Sequence, residues 1–126
     1  MMRSPIGRVR GLGSAKEGTH HWWRQRLTAG SNLFLMLWLL ISIARQPAYD
    51  YVTTRMWMES AWVAIPMALL VLSVFYHFRL GLQVVIEDYQ HNESRVVLMV
   101  LLNLFVAAVG AVALFSILKI AVGAPA

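Results

Sequence analysis

Three stretches of this chain, Leu27 to Ala44, Ala61 to Phe78 and Val96 to Leu118, contain no Asp, Glu, Lys or Arg. A helix needs about 20 mainly apolar residues to cross roughly 30 Å of hydrocarbon. Each stretch meets or approaches that length. The pattern predicts an all-α membrane protein with three transmembrane helices at about 27–45, 60–90 and 95–119. At 126 residues the chain is long enough for one domain only, 1–126, with 1–18 as a cytoplasmic N-terminal lead. Composition agrees: 59% of residues are hydrophobic, 13% are charged, and the mean hydropathy is +0.60. Soluble domains carry nearer a quarter charged residues.

The formal charge of +5 would suggest nucleic acid in a soluble chain. Here its distribution explains it better, and no nucleic-acid partner is expected. Arg3, Arg8, Arg10, Lys16, Arg24 and Arg26 precede the first span, against the single acid Glu17. Between the first two spans Arg45 and Arg55 balance Asp50 and Glu59. The positive-inside rule then keeps the N-terminus cytoplasmic and puts the C-terminus outside. Lys119, a lone cation near the far end, pulls weakly the other way. Cysteine is absent, which excludes disulfides, thiolate metal sites and thiol catalysis. The polar lead is too long for a signal n-region, so the first helix is expected to be retained.

Residues 1–18 are rich in Gly, Arg and Ser and have no apolar period, which predicts an extended lead. His20-His21-Trp22-Trp23-Arg24-Gln25-Arg26 mixes cations with amphipathic rings, the composition of an interfacial belt. Gly30, Ser31 and Asn32 are small or polar residues inside the first span, which marks a helix in contact with other protein. Pro47, Tyr49, Tyr51 and Trp57 form a second interfacial cluster in the outer loop. The third span is interrupted only by Asn103 and Gly110 and reads as packing.

The second helix carries the chemistry. It continues past Phe78 through Arg79, Gln83, Glu87, Asp88 and Tyr89, with Leu80, Val84 and Val85 keeping a helical period. If Tyr89 marks the interface, His77 lies 12 residues deeper, about 18 Å into the bilayer. Ionisable groups at that depth are costly and mark functional sites. Imidazole is a common axial ligand of haem iron; a neutral histidine bonding a neighbouring helix is the other reading. Asp88 follows His77 by eleven residues, 20° past three full turns, so the two share one face. Tyr89 lies beside that face. A phenol and a carboxylate at the rim suit a hydrophobic ligand that takes up protons, since Tyr O–H can donate to a quinone carbonyl. They are equally an ordinary close to a helix.

His77, ten residues and then Asp88-Tyr89, preceded by Gly18-x-His20 and by Arg26-x-Thr28-Ala29, resembles the hydrophobic membrane-anchor subunits (D-type) of bacterial succinate dehydrogenase. The resemblance runs from about Gly18 to Val122. It implies a non-catalytic anchor of the bacterial inner membrane that holds one haem b jointly with a second, cytochrome b556-type, anchor subunit. It further implies His77 as an axial iron ligand, Arg26 at the haem propionates with His20 nearby, and Tyr89 bonding ubiquinone with Asp88 beside it. The flavoprotein and iron–sulfur subunits would dock on the cytoplasmic face and deliver electrons from succinate. Arg79, Glu87 and His91 have no counterpart in that pattern; Arg79 could snorkel, meet a propionate or pair with Glu87.

Other classes fare worse. An autonomous di-haem cytochrome needs paired deep histidines, and the first and third spans have none. A transporter usually couples through an intramembrane carboxylate, and no span holds one. Anchors of fumarate reductases and other small respiratory cytochrome b subunits remain the near alternatives.

Overall fold

The computed structural model describes residues 4–9 and 18–123. Five helices follow in order: α1 (Pro5–Val9), α2 (Gly18–Ala44), α3 (Tyr51–Glu59), α4 (Ala61–Tyr89) and α5 (Asn92–Ala121). The three long ones, α2, α4 and α5, are each long and apolar enough to cross a membrane. The all-α, three-span expectation holds, and the described residues contain no strand.

The span boundaries differ in one instructive place. The first helix begins at Gly18, nine residues before its apolar stretch. Hydropathy marks where side chains leave hydrocarbon, whereas backbone hydrogen bonding carries on into the headgroup layer. The tryptophans of the proposed belt therefore stand on helix, with Trp22 and Trp23 edge to face at 5.3 Å. The expected extended lead contains a short helix, α1, opened by Pro5, whose fixed φ suits a first helical position. Residues 1–3 and 10–17 of that lead lie outside the described residues.

The loop between the first two spans also holds a helix, α3. Asp50 caps it: Oδ2 accepts from the Val52 and Thr53 amides at 3.1 Å each, and Oδ1 accepts the Thr53 hydroxyl at 2.6 Å. Those bonds, the Thr53 hydroxyl foremost, hold the Asp50 carboxyl below the usual carboxylate range. Arg55 donates to Glu59 one turn on at 3.1 Å, which reinforces so short a helix. Only Ser60 then separates α3 from α4.

α4 is the centre of the fold. It packs against α2 on one side and α5 on the other, while α2 and α5 do not touch. The buried side chains tell the same story: Val63, Ala64, Leu70, Leu80 and Ile86 come from α4, Leu102 and Ile117 from α5, and none from α2. Gly110 of α5 faces the Phe75 ring of α4, 4.0 Å from where a Cβ would stand. The result is an open row of three helices. Large apolar side chains such as Phe34 and Phe115 remain exposed and require lipid or other protein against them. At the Tyr89 end Gln90 and His91 alone connect α4 to α5. At the opposite end Gly123, at φ +70°, stops α5 in the left-handed conformation that glycine adopts without strain.

Candidate functional site

His77 sits in the middle of this row, on α4, twelve residues from the helix end at Tyr89. Unbroken helix joins the two, so the axial separation is about 18 Å. The imidazole is half-buried, and its Nδ1 lies 2.9 Å from the Thr28 hydroxyl on α2. One turn back on α4, Ser73 Oγ donates to the Thr28 carbonyl at 3.4 Å. A residue of α2 is thus held by two residues of α4 on one face. His77 Nε2 has no hydrogen-bond partner among the described residues. One turn beyond His77, Gly81 leaves open space where a Cβ would stand.

The other site residues expected from sequence are distributed as follows. Asp88 and Tyr89 are exposed at the end of α4, and neither has a partner among the described residues. Tyr89 is 77% exposed, which leaves the phenol available to a ligand or to another chain. Arg26 is also exposed, and its guanidinium carbon lies 5.5 Å from the Trp22 ring centroid, a cation–π contact. It stands two residues from Thr28, about 3 Å of rise but 200° around the helix. Within this chain, therefore, Arg26 is at the depth of His77 but on another face. His20 is exposed near the start of α2. His21 lies seven residues before Thr28 and shares its face; its Nε2 is buried without a partner.

Two polar links that the sequence did not reveal tie α4 to α5. Arg79 Nε donates to Asn103 Oδ1 at 2.5 Å, and Asn103 Nδ2 donates to the Met99 carbonyl at 2.8 Å. Arg79 is ten residues from the end of α4 and Asn103 eleven from the start of α5, so antiparallel packing brings them level. Asn103 is therefore more than a packing residue. Nearer the turn, Glu87 accepts from Gln83 at 3.1 Å and pairs with Arg95 at 3.3 Å. Arg79 thus answers to Asn103, and Glu87 to Arg95. The only hint in the sequence was that Asn103 interrupts an apolar run and that Arg79 directly follows one. In α2, Gly30 has nothing within 4 Å of a would-be Cβ, whereas Asn32 Oδ1 is buried and unpaired.

The donor set decides what kind of iron site is possible. Among the described residues no three His, Cys, Asp or Glu side chains gather to hold a bare ion. A porphyrin brings four equatorial nitrogens of its own and asks the protein only for axial ligands. A half-buried imidazole with one free nitrogen, beside a turn cleared by Gly81, fits such a demand.

Fold and site together define a multi-pass, all-α membrane protein whose unpaired polar groups lie on two packed helices, His21 and Asn32 on α2 and His77, Asp88 and Tyr89 on α4. The profile of the family described as succinate dehydrogenase/fumarate reductase transmembrane subunit matches residues 1–114. The chain belongs to that family. It is 38% identical over 105 residues to the succinate dehydrogenase hydrophobic membrane anchor subunit of Rickettsia bellii, covering 82% of this chain and 83% of the relative. The subunit of the same name from Rickettsia conorii is 30% identical over the same shares. That of Paracoccus denitrificans is 28% identical over 121 residues, 96% of this chain and 94% of the relative. No solved structure gives a significant match.

Proposed function

We propose that this chain anchors a succinate dehydrogenase in the bacterial inner membrane and completes two of its sites without performing catalysis itself. His77 carries the reading. It is a half-buried histidine on the central helix, held through one ring nitrogen and free at the other, in a family of respiratory membrane subunits. His77 would ligate the iron of a haem b, and a second anchor subunit of cytochrome b type would supply the opposite ligand. A haem held there would supply a one-electron redox centre within the anchor. Arg26, at the same depth and exposed, would pair with a propionate across the interface with that subunit, with His20 nearby.

At the end of α4, Tyr89 would donate its hydroxyl to a ubiquinone carbonyl, while Asp88 orients that hydroxyl or relays protons. The cationic N-terminal segment favours a cytoplasmic orientation for this end. The flavoprotein and iron–sulfur subunits would dock there. The open row of helices supports an obligate hetero-oligomer, since α2 and α5 leave most of their apolar side chains uncovered.

The test is a dithionite-reduced minus oxidised visible spectrum of the complex purified through a tag on this chain. A b-type haem signal is expected, weakened or altered in His77→Ala while the subunits remain assembled. A complex that assembles without haem would remove the ligand role from His77.

A further inference from the structure

Thr28 has one hydroxyl hydrogen and three neighbours that could share it. Two are carbonyls of its own helix, Arg24 O at 2.8 Å and Gln25 O at 3.1 Å; the third is His77 Nδ1 at 2.9 Å. A threonine hydroxyl inside a helix turns its hydrogen toward the carbonyls of the preceding turn. Its oxygen lone pairs then remain for the imidazole. Nδ1 must in that case be the nitrogen carrying hydrogen, and it donates to Thr28 Oγ1. The neutral ring has only one N–H, so Nε2 keeps its lone pair. The opposite arrangement, with Thr28 donating to Nδ1, would put the hydrogen on Nε2 and leave no nitrogen able to bind a metal.

We propose that Thr28 is the positioning residue of the His77 site: accepting the Nδ1–H fixes the tautomer and ring orientation that present Nε2 to iron. This rests on the reading of His77 as a haem ligand and extends it to a second helix. The anchorage is double, because Ser73 holds the Thr28 backbone from the same face of α4 that bears His77. An accepted Nδ1–H also makes an imidazole a stronger donor to its metal, and losing such a partner typically costs ten- to a hundredfold in metal affinity or activity. A more basic ligand favours ferric over ferrous iron. Thr28 therefore lowers the potential of the haem as well as steadying its ligand.

The experiment compares Thr28→Val, nearly the same shape without the hydroxyl, with Thr28→Ser, which keeps it, in the tagged complex. Haem content, the midpoint potential and the low-temperature EPR spectrum of the ferric haem are read for both and for His77→Ala. Thr28→Val should raise the ferrous-to-ferric ratio at a fixed potential by roughly tenfold, a positive shift of about 59 mV for one electron. The EPR signal should broaden or move, and Thr28→Ser should restore both properties. If Thr28→Val does not assemble, Thr28→Cys, of similar size with a weak acceptor, takes its place with the same expectation. Val and Ser variants both matching the parent, in a complex whose haem depends on His77, would overturn the role of Thr28 alone. A parent complex without haem, or haem indifferent to His77→Ala, would overturn the ligand reading and this proposal with it.

Discussion

At the Asp50 end of the molecule, polar side chains are answered by neighbours on the same short segment. Asp50 caps α3 through Val52 and Thr53, and Arg55 pairs with Glu59 one turn away. In the half that runs from His77 to Tyr89, the Gln83–Glu87 bond within α4 apart, the answers come from another helix or do not come from the described residues. Thr28 meets His77, Asn103 meets Arg79 and Arg95 meets Glu87, while Asp88 and Tyr89 have no partner among the described residues. The difference separates two kinds of work. Local pairs finish a turn and need nothing else, so that end is structurally self-contained. Cross-helix pairs fix the register of α2, α4 and α5, and the side chains left over at the rim are those available to ligands and other subunits.

The sharpest way to break this contrast is Asn103→Leu, which leaves the Arg79 guanidinium without its acceptor at membrane depth. A loss of about 2 kcal/mol in the stability of the solubilised complex is expected, on the scale of placing a cation inside a span. Arg79→Leu in the same chain should restore most of it. Thermal melts of the single and double variants decide the matter, and identical melts would mean that the pair does not hold α4 to α5.

A somewhat smaller effect is expected at the rim. Tyr89→Phe removes one hydrogen bond, on the order of 1.4 kcal/mol, and should lower succinate–quinone reductase activity about tenfold. Oxidation of succinate by an artificial dye should be spared. Equal loss of both activities would place Tyr89 in assembly and outside the quinone site.

The smallest effect belongs to the self-contained end. Asp50→Ala should speed hydrogen exchange at the Val52 and Thr53 amides and leave quinone reduction unchanged. Because hydrogen bonding holds Asp50 below the usual carboxylate range, its cap is fully present above that range and is lost as pH falls through the lower, folded value. Protection of those two amides, corrected for intrinsic rates, should thus persist at neutral pH and decline only in acid. A decline near neutrality would point to another cap.

Much of this was legible in the sequence because lipid imposes a simple rule on side chains. Runs without charge gave the three spans, and helical spacing placed His77 and Asp88 on one face of α4. The departures have specific causes. Gly18 to Arg26 is helical although its side chains are polar and aromatic, since a helix end outside hydrocarbon needs no apolar face. α3 is too short for periodicity to reveal, and its one signal was Asp50 placed three residues before Thr53. The Arg79–Asn103 and His77–Thr28 contacts require the register between helices, which single-helix spacing does not contain. Arg26 shows the same limit from the other side: spacing alone puts it 200° from Thr28, and only the Thr28–His77 contact shows that it faces away from His77.

The link of Gln90 and His91 between α4 and α5 has a consequence for how the protein is made. Its three Cα-to-Cα steps reach at most about 11 Å, far short of the roughly 30 Å of hydrocarbon. Neither helix can therefore be threaded through the bilayer independently and joined up later. If both helices span, whichever direction α4 takes dictates the opposite one for α5. Lys119 therefore acts on the pair as a unit, one cation set against the cluster that precedes the first span.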